Sequence, residues 1–219
     1  MGEDVVVLTA PTALDWVVLA PVKQLDRAKS RLSARPAPER RALALAFALD
    51  TVRAVLACEE VVRVLVISGD AEVQEAVERL GGTWVADEPA LDLNEILLTT
   101  AARLRSDRPD TAVAALVADL PALRTDELRR ALSVAAAVPR GFVADAVGTG
   151  TTLLTAHPGA DLDPHFGPRS RAAHAASGAA PLEAGPMPGL RRDVDTEVDL
   201  WDAGRLGLGP TTAALVHGD

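Results

Sequence analysis

The feature that most constrains this chain is a repeated pairing of short, densely aliphatic runs with helix-length segments across brief turns. Val61–Ser68 and 112–118 are apolar at nearly every position. A strand with one wet face alternates apolar and polar residues, whereas a strand covered on both faces has no reason to. These runs therefore read as interior strands of a parallel sheet. Residues 16–20, 83–86, 142–146 and 153–155 are shorter candidates.

The intervening helices have recognisable starts. Pro38-Glu39 opens a helix over 38–57, with Leu43, Phe47, Val52 and Val55 as its buried stripe. Asp70 caps a helix running to Leu80, and Thr125 with Asp126 and Glu127 opens another. Further helices are expected over 93–105 and 171–177. Thr196 and Asp199 form a capping-box pattern at what reads as the last helix, after a short strand at 192–195. Alternating strands and helices with short links predict an α/β fold. It is Rossmann-like and doubly wound, with a mostly parallel sheet and helices on both faces. At 219 residues the chain suits one domain, over 15–219, after a flexible lead-in at 1–14.

Hydrophobic residues make up 48% and aromatic ones only 3%, so the core must be Ala, Val and Leu. A net charge of −9 lacks the basic face of a nucleic-acid binder. Any anionic ligand must be met by local cations or a metal. Cys58 is the sole cysteine, and it reads as a small buried hydrophobe in a helical stretch, which fits a reducing compartment. The first residues lack the cationic start of a signal peptide, and position 6 is Val where a myristoylation site needs Ser or Thr. No apolar run approaches the roughly 18 residues of a membrane span. A cytoplasmic protein with neither membrane nor nucleic-acid partners is expected.

In a doubly wound sheet, ligands sit at the carboxyl ends of the strands near a topological switch point. Several unusual segments fall at such ends. After the first strand, a Pro-punctuated turn carries Lys23, Arg27, Lys29 and Arg31, four cations concentrated in an acidic chain. They suit a nucleotide triphosphate, although solvated loop charges look the same. Asp119 follows the run at 112–118, and Asp193 and Asp195 flank Val194. Two carboxylates from distant segments are the usual means of holding Mg2+, which keeps waters and takes further oxygens from substrate phosphates. Asp119 and Asp193 are the proposed pair, with Asp195 a competitor for the second place. Gly148-Thr149-Gly150-Thr151 and Phe166-Gly167-Pro168-Arg169-Ser170 offer backbone N–H groups and hydroxyls to an anion. Each motif alone also fits a plain turn.

The chain has no G-x-x-x-x-G-K-[ST] loop, G-x-G-x-x-G fingerprint, G-x-S-x-G elbow or Cys/His metal cluster. His157, His165, His174 and His217 are scattered, and each reads as a surface or structural residue. Chemistry that needs neither His nor Cys is favoured.

Taken in order, the motifs acquire a specific meaning. They are Ala20-Pro21-Val22-Lys23 to Lys29-Ser30-Arg31-Leu32, Asp119-Leu120-Pro121-Ala122-Leu123, Gly148-Thr149-Gly150-Thr151, Phe166-Gly167-Pro168-x-Ser170 with His174 and Ser177-Gly178-Ala179, and Asp193-Val194-Asp195-Thr196 through Asp199-Leu200. This set resembles the phosphoenolpyruvate/2-phospho-L-lactate guanylyltransferases of coenzyme F420 biosynthesis, from about Val17 to Leu208. The wider resemblance is to molybdopterin-type nucleotidyltransferases, of nucleotide-diphospho-sugar transferase-like fold. Those relatives carry a Gly-rich loop and an Arg after the first strand, where this chain has Pro21-Val22-Lys23-Gln24-Leu25. Two smaller departures are Ala118, where Gly often precedes Asp-Leu-Pro, and Glu197, where Pro often follows Asp-Thr.

The resemblance implies that Thr151, Gly167 and Ser170 contact phosphoenolpyruvate and that Asp119 and Asp193 hold Mg2+. It places Lys23, Lys29 and Arg31 at the GTP phosphates, and makes Asn94 with the acidic loop before it candidates for the base pocket. The implied catalytic set is Lys23, Lys29, Asp119 and Asp193. A phosphate oxygen of phosphoenolpyruvate would attack the α-phosphorus of GTP and expel pyrophosphate, giving enolpyruvyl-2-diphospho-5'-guanosine. The fragility of that product suggests handover to the next enzyme. Competing expectations are another acceptor, such as 2-phospho-L-lactate, 3-phosphoglycerate or a pterin or sugar phosphate, and a non-catalytic nucleotide-binding protein.

Overall fold

The computed structural model describes residues 14–218. The expected lead-in at 1–14 lies outside the described residues except for Leu14, which packs against the core. In chain order the elements are β1 (Trp16–Pro21), α1 (Ala37–Leu56), β2 (Val61–Ser68), α2 (Ala71–Leu80), β3 (Thr83–Ala86), α3 (Leu93–Asp107), β4 (Ala112–Leu116) and α4 (Thr125–Ala135). They continue with β5 (Arg140–Ala144), β6 (Thr151–Ala156), α5 (Ser170–Ala176), β7 (Ala180–Pro181), α6 (Pro188–Arg191), α7 (Glu197–Leu206) and α8 (Pro210–His217). A 3-10 turn, Leu25–Arg27, follows β1.

The strands form one 7-stranded sheet in the order β3-β2-β1-β4-β6-β5-β7. The first four are mutually parallel, β6 runs antiparallel to β4 and β5, and β7 is parallel to β5. Burial on both faces explains the densely apolar runs. Val18, Ala20, Val64, Val66, Ala114 and Leu116 point toward α1, α2 and α4, meeting Val52, Val73, Val77 and Leu128. Their neighbours Val17, Leu19, Leu65, Ile67, Val113 and Ala115 point to the other face, where Ile96, Leu97 and Leu104 of α3 cover them. Truncating one of the buried Leu or Ile side chains to Ala costs about 2–5 kcal/mol.

The chain leaves β1 for β2 on one side and later returns to β4 on the other, so the switch point lies between β1 and β4. A third apolar cluster sits there. It contains Leu32 from the basic loop, Ala122 from the turn after β4, Val194 from the late acidic segment, and Leu43, Phe47, Leu200 and Ala203 from α1 and α7. Each charge-bearing segment thus buries one apolar residue in a shared core, and that anchors the charged neighbours.

Some boundaries differ from expectation. β4 stops at Leu116 rather than Ala118: its paired register with β6 ends at Leu116 and Leu153, and beyond it a single bond from Val117 N–H to Thr152 O still reaches β6 before the chain turns away. β5 covers 140–144 rather than 142–146, since Ala146 N–H bonds to Arg191 O instead of a strand. Residues 192–195 form no strand, and Val194 N–H reaches Asp119 O alone, at 3.1 Å. Cys58 lies just beyond α1, after its C-cap Ala57, and is buried. The capping box of Thr196 and Asp199 opens α7 as expected, but α7 is followed by α8. The N-terminus of α8 is capped by the buried Asp50 carboxylate, which accepts from Thr211 N at 3.0 Å and Thr212 N at 2.7 Å.

Candidate active site

At the switch point the carboxyl ends of β1 and β4 open into a cleft of about 370 Å³. Its lining includes Lys23, Lys29, Arg31, Asp119, Asp193 and Asp195. Sequence positions more than 160 apart are brought together because the loop after β1, the turn after β4 and the segment before α7 share the Leu32, Ala122 and Val194 cluster. Asp193 and Asp195 both reach the cleft because the apolar residue between them is turned into that cluster.

Lys29 is the centre of this arrangement. Its side chain is only 7% exposed, with Nζ 2.5 Å from Asp119 Oδ2 and 3.2 Å from Asp195 Oδ1. Its φ of 55° is in the left-handed region, which a side chain enters only when its surroundings hold it there. Burial alone would lower the ammonium's pKa, but Asp119 and then Asp195 outweigh it and hold the pKa above the ordinary lysine value. Lys29 is therefore a fixed positive charge.

Lys23 and Arg31 are exposed cleft residues, and Arg31 Nη1 lies 3.5 Å from Asp195 Oδ2. Asp193 has no ion-pair partner among the described residues. Burial, and then the neighbouring Asp119, push its pKa up to about 7. Arg31 and Lys29 both face Asp195, whereas Asp193 stands beside Asp119 with no cation of its own, and a hard divalent cation with oxygen ligands fits that carboxylate pair. The described residues contain no closed cage of three or more acidic, His or Cys side chains. Asp119 and Asp193 match instead the sparse protein share that Mg2+ takes when waters and phosphates complete its shell.

The residues expected at the second substrate form an adjoining group. Thr151 begins β6, which is antiparallel to β4 and so starts at the carboxyl edge of β4. Its buried hydroxyl lies 2.9 Å from His174 Nδ1. Ser170 is buried at the start of α5, and its N–H bonds to Gly167 O. Gly167, at φ 142°, uses backbone freedom that a side chain would hinder. These three do not line the main cleft. Neighbouring residues tie them to it: Thr152 O accepts from the cleft residue Val117, and Asn94, next to the cleft residue Leu93, holds Phe166, next to Gly167.

The carboxamide of Asn94, expected near the base, is committed to a loop. Its Oδ1 accepts from Phe166 N at 2.7 Å and its Nδ2 donates to Phe166 O at 3.0 Å. The expected supply of free N–H donors from the Gly-Thr loop is also revised. Asp145 Oδ1 accepts from Gly148 N at 2.6 Å and Thr149 N at 2.8 Å, and Oδ2 accepts from Gly150 N at 2.8 Å. A Cβ at Gly150 would fall 2.5 Å from Asp145 Oδ2, so glycine is required for the loop to wrap its own anion. Asp145 was missed in the sequence, where only the habit of Asp of capping following turns could have signalled it. The pairing of Asp195 with Lys29 had no local signal.

The chain matches the family described as "Guanylyl transferase CofC like" over residues 16–174. It is 51% identical over 203 residues to a phosphoenolpyruvate guanylyltransferase of Streptomyces coelicolor, covering 92% of this chain and 96% of that one. It is 50% identical over 202 residues to the protein of that name from Thermomonospora curvata, covering 92% and 89%. Among solved structures, a nucleotide-diphospho-sugar transferase assignment from Desulfovibrio desulfuricans superposes with TM-score 0.67 at 16% identity, covering 94% of this chain and 95% of that one. A 4-diphosphocytidyl-2C-methyl-D-erythritol synthase superposes with TM-score 0.61 at 11% identity, covering 88% and 99%. These likenesses establish the nucleotidyltransferase fold, and the sequence matches place the chain in the CofC-like guanylyltransferase family.

Proposed function

We propose that this nucleotidyltransferase joins GTP and phosphoenolpyruvate, forming enolpyruvyl-2-diphospho-5'-guanosine and pyrophosphate. The observation that carries this reading is the convergence of Lys29, Asp119 and Asp193 in the switch-point cleft, beside Thr151, Gly167 and Ser170. The curated relatives at about half identity bear the name phosphoenolpyruvate guanylyltransferase, which favours that acceptor.

Lys23, Lys29 and Arg31 would receive the triphosphate, and the fixed charge of Lys29 would stabilise the departing pyrophosphate. Asp119 and Asp193 would hold Mg2+, whose charge, when it is bound, offsets that of the phosphates. The acceptor phosphate is already ionised near neutral pH and needs no general base. Alignment and charge neutralisation then supply most of the catalysis. Thr151, Ser170 and the Gly167 backbone would orient the acceptor with its phosphate toward the cleft. An enolpyruvyl diphosphate is a reactive product, so direct handover to the enzyme that consumes it suits its chemistry, as does a cytoplasmic setting. No described helix is long and apolar enough to cross a membrane.

Mass spectrometry of the product formed from GTP, phosphoenolpyruvate and Mg2+ tests the reading. The expected species carries both the guanylyl and the enolpyruvyl groups. Its absence from folded protein, with a guanylylated 2-phospho-L-lactate formed in a parallel reaction, would reassign the acceptor.

A further inference from the structure

His174 is fully buried, and both its ring nitrogens are engaged. The backbone N–H of His165 lies 2.9 Å from Nε2, and Thr151 Oγ1 lies 2.9 Å from Nδ1. A backbone amide can only donate, so Nε2 must be the unprotonated, accepting nitrogen. A neutral imidazole has one N–H, which is then on Nδ1 and donates to Thr151 Oγ1. A doubly protonated ring would set Nε2–H against the amide hydrogen of His165. Burial, followed by His165, lowers the His174 pKa to about 4 and agrees with the neutral ring.

The consequence falls on Thr151. Its oxygen accepts from the imidazole, and among the described residues its hydroxyl hydrogen has no acceptor. An unspent donor on a buried hydroxyl calls for a partner, and an oxygen anion brought beside Thr151 would supply one.

We propose that His174 is a positioning residue for the acceptor substrate: by donating from Nδ1 it makes Thr151 a donor-only hydroxyl aimed at an acceptor carboxylate or phosphate oxygen. Its other nitrogen fastens the same ring to the turn from His165 to Ser170, which Asn94 grips from the far side through Phe166. One buried ring therefore sets the hydroxyl of Thr151 in register with Gly167 and Ser170. This inference rests on the reading that Thr151 contacts the acceptor.

Two measurements test it. In nitrogen-15 NMR of wild-type protein, His174 should show a protonated Nδ1 and an unprotonated Nε2. The opposite tautomer, or a charged ring at neutral pH, overturns the proposal without any variant. In kinetics, His174→Gln can return an oxygen to the His165 amide but has no donor at the Nδ1 position, whereas His174→Asn can restore that donor. His174→Gln should raise KM for phosphoenolpyruvate about tenfold, the worth of one hydrogen bond, with no parallel rise in KM for GTP. His174→Asn should recover part of the loss. Equal changes in both KM values would mark a merely structural histidine and overturn the proposal. Thr151→Val separates the two levels. If it raises KM for phosphoenolpyruvate while His174→Gln does not, the positioning role alone fails. If Thr151→Val leaves that KM unchanged, the contact reading fails and the proposal with it.

Discussion

The ammonium of Lys29 lies between two carboxylates, 2.5 Å from Asp119 and 3.2 Å from Asp195, although these acids stand 90 and 166 residues away in the chain. This bridge joins the loop after the first strand to both acidic segments. It also holds a positive charge where phosphates and a divalent ion would meet. Removing it should expose the imbalance it offsets. Lys29→Met should lower kcat by roughly 10²- to 10³-fold, the usual cost of losing one fixed charge-stabilising donor. Thermal unfolding of the variant should also respond more strongly to added Mg2+ than that of wild type, because three carboxylates then face each other without an ammonium.

Asp119 is held by two roles that a single variant separates. Asp119→Asn keeps an oxygen for Lys29, and Lys29 retains Asp195, so the fold should survive. The proposed cation loses a charged ligand, and kcat should fall at least roughly a hundredfold. Circular dichroism alongside steady-state turnover checks both statements. Near-normal turnover would remove Asp119 from the mechanism.

The pKa of Asp193 makes stability without divalent ions depend on pH. Its folded value of about 7 lies above the ordinary 3.8, so the folded state holds the proton more tightly. That contribution is complete below about pH 4, fades as pH rises toward 7, and is lost above it, where the half-buried carboxylate is charged beside Asp119. Asp193→Asn removes that charge. The variant should be more stable than wild type at pH 8, by on the order of 2 kcal/mol once solvent screening at the open cleft is allowed for, and nearly equal to it at pH 4. Denaturant titrations in chelator at the two pH values measure this. Added Mg2+ should stabilise wild type more than the variant.

Much of the architecture was legible because its determinants are local. Asp70 accepts from Glu72 N and opens α2, as a capping Asp should, and Val61–Ser68 is the interior strand its composition demanded. The wrong strand at 192–195 is equally instructive. Alternation around Val194 has the period of a strand, but here it turns Val194 into the third cluster and two acids toward the cleft. Helix α8 escaped notice because its start depends on Asp50, about 160 residues away and buried inside α1. The ordered motifs brought Lys29, Asp119 and Asp193 to one place. The tautomer of His174 and the loop wrapped on Asp145 depend on side-chain directions that no spacing reveals.

Asp145 gives a prediction of its own. Its carboxylate accepts three consecutive N–H groups, from Gly148 to Gly150, immediately before Thr151. Asp145→Ala leaves those donors to water and frees the loop. KM for the acceptor should rise while KM for GTP changes less, and the melting temperature should fall. Equal changes in both KM values would mean that the loop supports the whole site and not the acceptor end.

The most direct test of the central claim is pyrophosphate release from GTP and Mg2+, compared with phosphoenolpyruvate and with 2-phospho-L-lactate as acceptor. The account predicts Mg2+-dependent release with the higher kcat/KM for phosphoenolpyruvate. Preference for 2-phospho-L-lactate would contradict the assigned acceptor, and no release with either, from folded protein that binds GTP, would contradict the catalytic assignment itself.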